Sequence, residues 1–172
     1  MVLSRRVRAL LPCLALLAAA CGSAGMPPSE HPLMQKAPAP RKEAALDGSL
    51  VSLPVPGKVT VLDFWATTCK PCAELMPAIE KLYEQKHEGG VEVIGIAIDD
   101  NPGKVQNRIS ERGVTYATVM DPNSQIQGAY QVTELPQTFV FDKTGKLRFF
   151  TKGGTLDDVA KIERAVDVLL AE

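Results

Sequence analysis

The chain predicts an α/β fold, a mixed central sheet with helices on both faces. Three observations predict it. Apolar, β-rich runs at Lys58–Ala66 and Val91–Asp99 alternate with stretches of helical periodicity. Both runs are apolar at nearly every position, as a strand covered on two faces requires, and only Asp63 breaks the first. The C-terminal part then carries two short β-rich runs around the turn Asp142–Gly145, followed by an amphipathic stretch, which reads as a hairpin and a helix.

The N-terminus stands apart from that fold. Arg5, Arg6 and Arg8 form a positive region, and Ala9–Ala20 is an apolar run ending in small residues. A bilayer-spanning helix needs roughly 20 apolar residues, so this run reads as an export signal over residues 1–20. Cys21 follows at the boundary. The segment resembles a bacterial lipoprotein signal, in which that cysteine is lipidated, although Ala18 stands where Leu is usual. The resemblance implies a lipid anchor at Cys21 on the periplasmic side of a bacterial envelope, or secretion if no lipid is added. Thiols there tend to oxidise. Residues 22–44 are rich in Pro and Ala without periodicity and read as a flexible tether. Extended at about 3 Å per residue, it would reach on the order of 70 Å. His31, within it, reads as solvated.

The folded domain is expected over 45–172. A turn at Asp47–Gly48 and the apolar residues Leu50, Val51 and Leu53 suggest a short hairpin. After the strand at Lys58–Ala66, a helix is expected over Lys70–Lys86, with Leu75, Met76, Ile79, Leu82 and Tyr83 at spacings of three and four. Pro77 interrupts it and should kink it. After Val91–Asp99 come a helix at Pro102–Arg112, a strand at Tyr116–Met120 and a short helix at Ser124–Tyr130. The last helix, Leu156–Leu170, carries Val159, Ile162, Val166 and Leu169 on one face.

Composition narrows the function. The formal net charge is −1, and removing residues 1–20 takes away three arginines and no acid. No basic patch interleaves with aromatics, which argues against nucleic-acid binding. The five methionines are scattered rather than arrayed for copper.

The stretch "LDFWATTCKPC" carries the chemistry. A zinc site needs four ligands, but no cysteine follows Cys72 and the one later histidine is His87. A structural disulfide across so short a loop would stabilise little. Redox exchange suits the pair best. The thiolate is the reactive species. Cys69 falls at the expected start of a helix, where unpaired N–H groups and the macrodipole favour negative charge. Lys70 adds a cation, and Pro71 fits a first helical turn. Cys69 is therefore the expected nucleophile, and Cys72, one turn deeper, the resolving thiol.

"VLDFWATTCKPC" resembles the active-site strand and helix start of the thioredoxin superfamily. Pro77 matches that family's kinking proline. "ELPQTFVFD" resembles the segment with its cis-proline, here Pro136, which with Leu135 and Trp65 would line the bound substrate chain. "KGG" at Lys152–Gly154 resembles the turn before its last helix. The strand-helix insertion near Asp100–Met120 and the opening "ALDGSLVSL" are similar to the membrane-tethered TlpA and ResA group. The resemblance covers most of 45–171 and implies a thioredoxin-like fold. It also implies a protein-disulfide reductase without cofactor or metal. Its substrates would be cysteine pairs of exported proteins, such as apocytochromes c awaiting haem. Its electron donor would be a membrane protein of the CcdA or DsbD type.

Asp63 matches the buried acid of thioredoxin. Burial should raise its pKa and suit it to take a proton from Cys72. Two positions depart from the pattern. Thr68 replaces the Trp usual before the first cysteine. Leu75 stands where the TlpA and ResA group often has Glu, and Glu74 points about 100° away on the helix, so that role is not transferred to it. A peroxiredoxin-like thiol peroxidase shares the insertion but places a threonine where Ala66 stands. A Sco-type copper metallochaperone uses a wider cysteine spacing and a distant histidine, which this chain lacks. Trp65 also reads as packing beside the site, Asp99 and Asp100 as the end of a strand, and His87 as a cation at a helix C-terminus.

Overall fold

The computed structural model describes residues 31–99 and 101–172. The expected signal over 1–20, the lipidated Cys21 and Asp100 lie outside the described residues. Two strands, β1 (Arg41–Ala44) and β2 (Leu50–Leu53), form an antiparallel hairpin around the Asp47–Gly48 turn. The main sheet has five strands: β3 (Val59–Trp65), β4 (Val91–Ala97), β5 (Ala117–Met120), β6 (Gln137–Phe141) and β7 (Leu147–Lys152). Their order is β5-β4-β3-β6-β7. The helices are α1 (Lys70–Lys86), α2 (Pro102–Arg112), α3 (Gln125–Ala129) and α4 (Leu156–Ala171).

The topology follows from the handedness of crossovers. β3, β4 and β5 run parallel, and each step moves the same way across the sheet. Right-handed connections then place α1 and α2 on one face. The chain returns over the other face through α3 and enters β6 antiparallel to β3 on its far side. β3 therefore sits where the strand order reverses. The carboxyl end of such a strand opens a crevice, the usual place for a site in α/β sheets.

The period-two alternation of β3 sorts the core. Val59, Val61 and Trp65 pack with α1 and α4, against Leu75, Met76, Ile79, Ile162 and Val166. Leu62 and Phe64 pack on the opposite face with Ile126, Tyr130 and Phe139.

The fold begins earlier than the expected boundary at residue 45. The stretch read as a flexible tether is anchored through His31 and Met34–Lys36 and then forms β1. Met34 bridges to Leu147, and the N–H groups of Gln35 and Leu147 donate to Leu147 and Lys36 carbonyls at 2.8 and 2.9 Å. This covers the outer edge of β7, which would otherwise expose unpaired backbone groups. His31 is not solvated. The residue is only 7% exposed, and its ring lies 5.0 and 4.9 Å, centroid to centroid, from Phe139 and Phe150. Its Nδ1 accepts the Leu33 N–H at 3.2 Å.

Burial holds the His31 imidazole below its usual pKa of 6.5. The unfolded chain therefore takes up the proton first as pH falls. The stability His31 contributes is full above pH 6.5 and is lost as pH drops toward its folded pKa. His31→Phe, which keeps a ring between the two phenylalanines and cannot titrate, should lose less stability between pH 7 and 5 than the natural chain. Thermal unfolding at the two pH values measures this, and equal losses would contradict it.

Candidate active site

The site forms where β3 runs into α1. Between them, Thr67 is held by Asp99 at the end of β4. Its N–H donates to Asp99 Oδ2 at 2.8 Å and its hydroxyl to Oδ1. The turn closes as the Cys69 N–H donates to the Ala66 carbonyl at 3.0 Å. Cys69 is the N-cap of α1, and its Sγ accepts the Cys72 N–H at 3.2 Å. Pro71 sits in the first turn, where its missing N–H costs nothing. Cys69 and Cys72 are joined by a disulfide with their Cα atoms 5.3 Å apart. Cys69 is partly exposed, whereas Cys72 is buried in the core with Leu75 and Met76. The Lys70 ammonium projects into solvent 3.9 Å from Glu74.

Pro136 stands across Gly154 from Pro71 of this turn. The Leu135–Pro136 peptide is cis, Pro136 is buried and Leu135 is partly exposed. The Gly153 N–H donates to the Pro136 carbonyl at 3.1 Å. Gly154 fills the remaining space: a Cβ there would stand 2.6 Å from Pro71 Cβ and 3.4 Å from Pro136 Cγ. Both neighbours are rigid rings, so the backbone must yield. Gly154→Ala should cost about 1–3 kcal/mol of stability and slow reaction at Cys69. A denaturant midpoint measured beside the reaction rate checks both, and an unchanged midpoint would contradict the contact.

Asp63 projects from β3 on the α1 face and is 1% exposed. The Thr138 hydroxyl donates to its Oδ1 at 2.9 Å. Desolvation pushes its pKa up to about 7, with the Thr138 bond opposing. A carboxyl poised there can both hold and accept a proton near neutrality.

Trp65 departs from the expectation that it lines substrate. It is fully buried in the α1-side core and offers no surface to a bound chain, so it packs. The other departures fit the pattern on the helix. Leu75 is buried and Glu74 faces solvent. Two contacts escape sequence reasoning. Asp99 does more than end a strand, since it holds the loop before Cys69. Glu80, on α1, is buried and accepts both the N–H and the hydroxyl of Thr115. Neither pairing leaves a local signal, because the partners lie more than 30 residues apart.

An accessible sulfur at a helix N-terminus, bonded to a buried sulfur one turn deeper, is an arrangement suited to thiol-disulfide exchange.

The Redoxin family model matches residues 33–168. The chain is 37% identical over 103 residues to the thiol-disulfide oxidoreductase ResA of Bacillus thuringiensis (strain Al Hakam), covering 59% of this chain and 60% of that protein. It is 34% identical over 106 residues to the ResA of Geobacillus kaustophilus (strain HTA426), covering 61% of each. The matched part thus spans about three fifths of the length of these curated relatives. Among solved structures, a thiol:disulfide interchange protein of the thioredoxin family from Chlorobium tepidum TLS superposes with a TM-score of 0.67 at 26% identity, covering 78% of this chain and 96% of that one. StoA from Bacillus subtilis superposes with a TM-score of 0.66 at 21% identity, covering 74% and 96%, and shares the thioredoxin-like fold.

Proposed function

The chain belongs to the Redoxin family, and from that premise we propose that it is a thiol-disulfide oxidoreductase acting on cysteine pairs of exported proteins. One observation carries this reading. The partly exposed Cys69 caps α1, is disulfide-bonded to the buried Cys72, and lies in a turn whose Pro71 packs, through Gly154, against the cis-Pro136 segment. The ResA relatives carry the same activity in their names.

In the reducing direction the cycle starts from the dithiol. The Cys69 thiolate attacks one sulfur of a substrate disulfide. That S–S bond breaks, a Cys69–substrate bond forms, and the released substrate thiolate takes a proton from solvent. Cys72 then gives its proton to the Asp63 carboxylate. The Cys72 thiolate attacks Cys69 Sγ and displaces the second substrate thiolate. Two electrons have passed to the substrate, and the protein is left as the disulfide. Pro136 and Leu135 would hold the substrate chain during both steps.

A membrane donor of the CcdA or DsbD type would return the two electrons, and apocytochromes c are the substrates the resemblance favours. A lipid on Cys21 would keep the domain at the periplasmic side of the envelope. No helix among the described residues is long and apolar enough to cross a membrane.

The test is stoichiometric. The reduced protein should convert one disulfide of a cysteine-pair peptide to two thiols per molecule, and Cys69→Ser should abolish this. Rapid reduction of hydrogen peroxide with the peptide left oxidised would replace the reading with a peroxidase.

A further inference from the structure

α2 turns a polar face toward the turn that holds Cys69. Lys104, Asn107, Arg108 and Glu111 are spaced by three and four residues, so they share one side of the helix. With Thr67 and Thr68 they line a cleft of about 300 Å³. Val105 and Ile109, on another side of α2, pack into the α1-side core and hold that polar face in place. Thr68 directly precedes Cys69. Neighbouring Cα atoms are about 3.8 Å apart, so the cleft opens one residue from the reactive cysteine. Pro136 approaches the same turn through Gly154 at Pro71, after Cys69. The cleft adjoins it before Cys69. A chain bound at Cys69 thus has a contact available on each side.

The wall of the cleft carries two cations, Lys104 and Arg108, against one acid, Glu111. The Arg108 side chain is 25% exposed. Its Nε is shut off from solvent and, among the described residues, has no aligned hydrogen-bond partner, although Glu111 Oε2 stands 3.3 Å away. The Glu111 side chain is 64% exposed, and an ion pair so open to water is weak and screened by salt. An incoming carboxylate can displace it. Asp99 stands behind Thr67, and both of its oxygens already accept from that residue. The Thr68 hydroxyl and the Asn107 amide add neutral donors beside the two cations.

We propose that this cleft is a specificity subsite for an acidic side chain flanking the reactive cysteine of the substrate. The inference rests on the proposed exchange and narrows its substrate class. The planar guanidinium of Arg108 suits a carboxylate because its N–H groups can donate in pairs to the two oxygens. Lys104, one helical turn away, adds a second positive charge without that geometry. The field of the two cations reaches the encounter as well as the complex, so an acidic flank should speed the first attack by Cys69. Position matters here, because the cleft opens beside Cys69 rather than on a distant face.

The test uses two disulfide-bonded peptides that differ only in the residues outside the cysteine pair, Glu on both flanks in one and Gln in the other. Mixed-disulfide formation is followed by mass in a Cys72→Ser background, which isolates the first attack. The Glu peptide should react about tenfold faster at low ionic strength, and the ratio should shrink as salt is added. Arg108→Gln should bring the ratio to about one, Lys104→Gln should lower it, and Arg108→Lys should keep part of it. The ratio separates recognition from a merely structural role, which would slow both peptides alike. Equal rates for the two peptides leave the exchange standing and overturn the subsite. A ratio that survives both Arg108→Gln and Lys104→Gln overturns it too, because the preference then arises elsewhere. If neither peptide forms an adduct, the proposed exchange itself fails, and the subsite falls with it.

Discussion

Cys72→Ser should turn the protein into a trap. Cys69 keeps its N-cap position, and the backbone N–H of residue 72 still points at its sulfur, so the first attack proceeds. Serine cannot displace the substrate, and the mixed disulfide accumulates. Turnover should fall at least about a hundredfold, equivalent to about 3 kcal/mol of barrier, while a covalent adduct of one substrate per protein appears in the intact mass. Cys69→Ser should give neither turnover nor adduct, because Cys72 is 1% exposed and out of reach. Adducts forming on Cys72 in that variant would reverse the two roles.

Asp63→Asn should make the protein more stable and less active. Burial raises the carboxyl from 3.8 to about 7. The folded state therefore binds this proton more tightly than the unfolded chain. The sign follows: the stability linked to Asp63 is greatest below pH 3.8 and is lost as pH rises to 7. Above that the loss is complete and constant. At about 1.4 kcal/mol per pH unit, the full penalty is about 4 kcal/mol, an upper bound because the surroundings can relax. Asparagine carries no charge at any of these pH values. The variant should gain up to about 4 kcal/mol at pH 8 and almost nothing at pH 4, read from denaturant midpoints. It should also release the second substrate thiol at least about tenfold more slowly, since Cys72 has lost its base. Equal midpoints at pH 8 would contradict the buried charge, and an unchanged release rate would contradict the proton transfer. Stability given up for a charged group at a working site is a common exchange in natural proteins.

The elements that shape the site were legible because their signals are local. Periodicity and end residues place α1 at Lys70–Lys86 and α2 at Pro102–Arg112, as observed. The apolar run around Asp63 is a strand buried at every position. Cys69 and Pro71 carry their own capping chemistry. The cis peptide before Pro136 was expected from resemblance alone, because no local pattern states it. What stayed hidden depends on partners distant in sequence. The Pro-rich composition of 31–44 fits an extended linker, yet extended chain is also what the edge of β7 needs as cover. Nothing near Met34 names Leu147. Trp65 beside a redox pair invites a substrate role, but the gap left by Gly95, on the neighbouring strand, lets its ring turn inward. Asp99 looks like any acid at a strand end until the sheet brings it beside Thr67.

Cys69 and Cys72 are proposed to form a reducing couple. The direct measurement is the reduction potential of the domain, by equilibration in glutathione or dithiothreitol buffers with the dithiol fraction read by mass. The account predicts a single two-electron transition near the thioredoxin value of about −270 mV. A transition near the DsbA value of about −120 mV would make the protein an oxidant and contradict the proposed reducing direction.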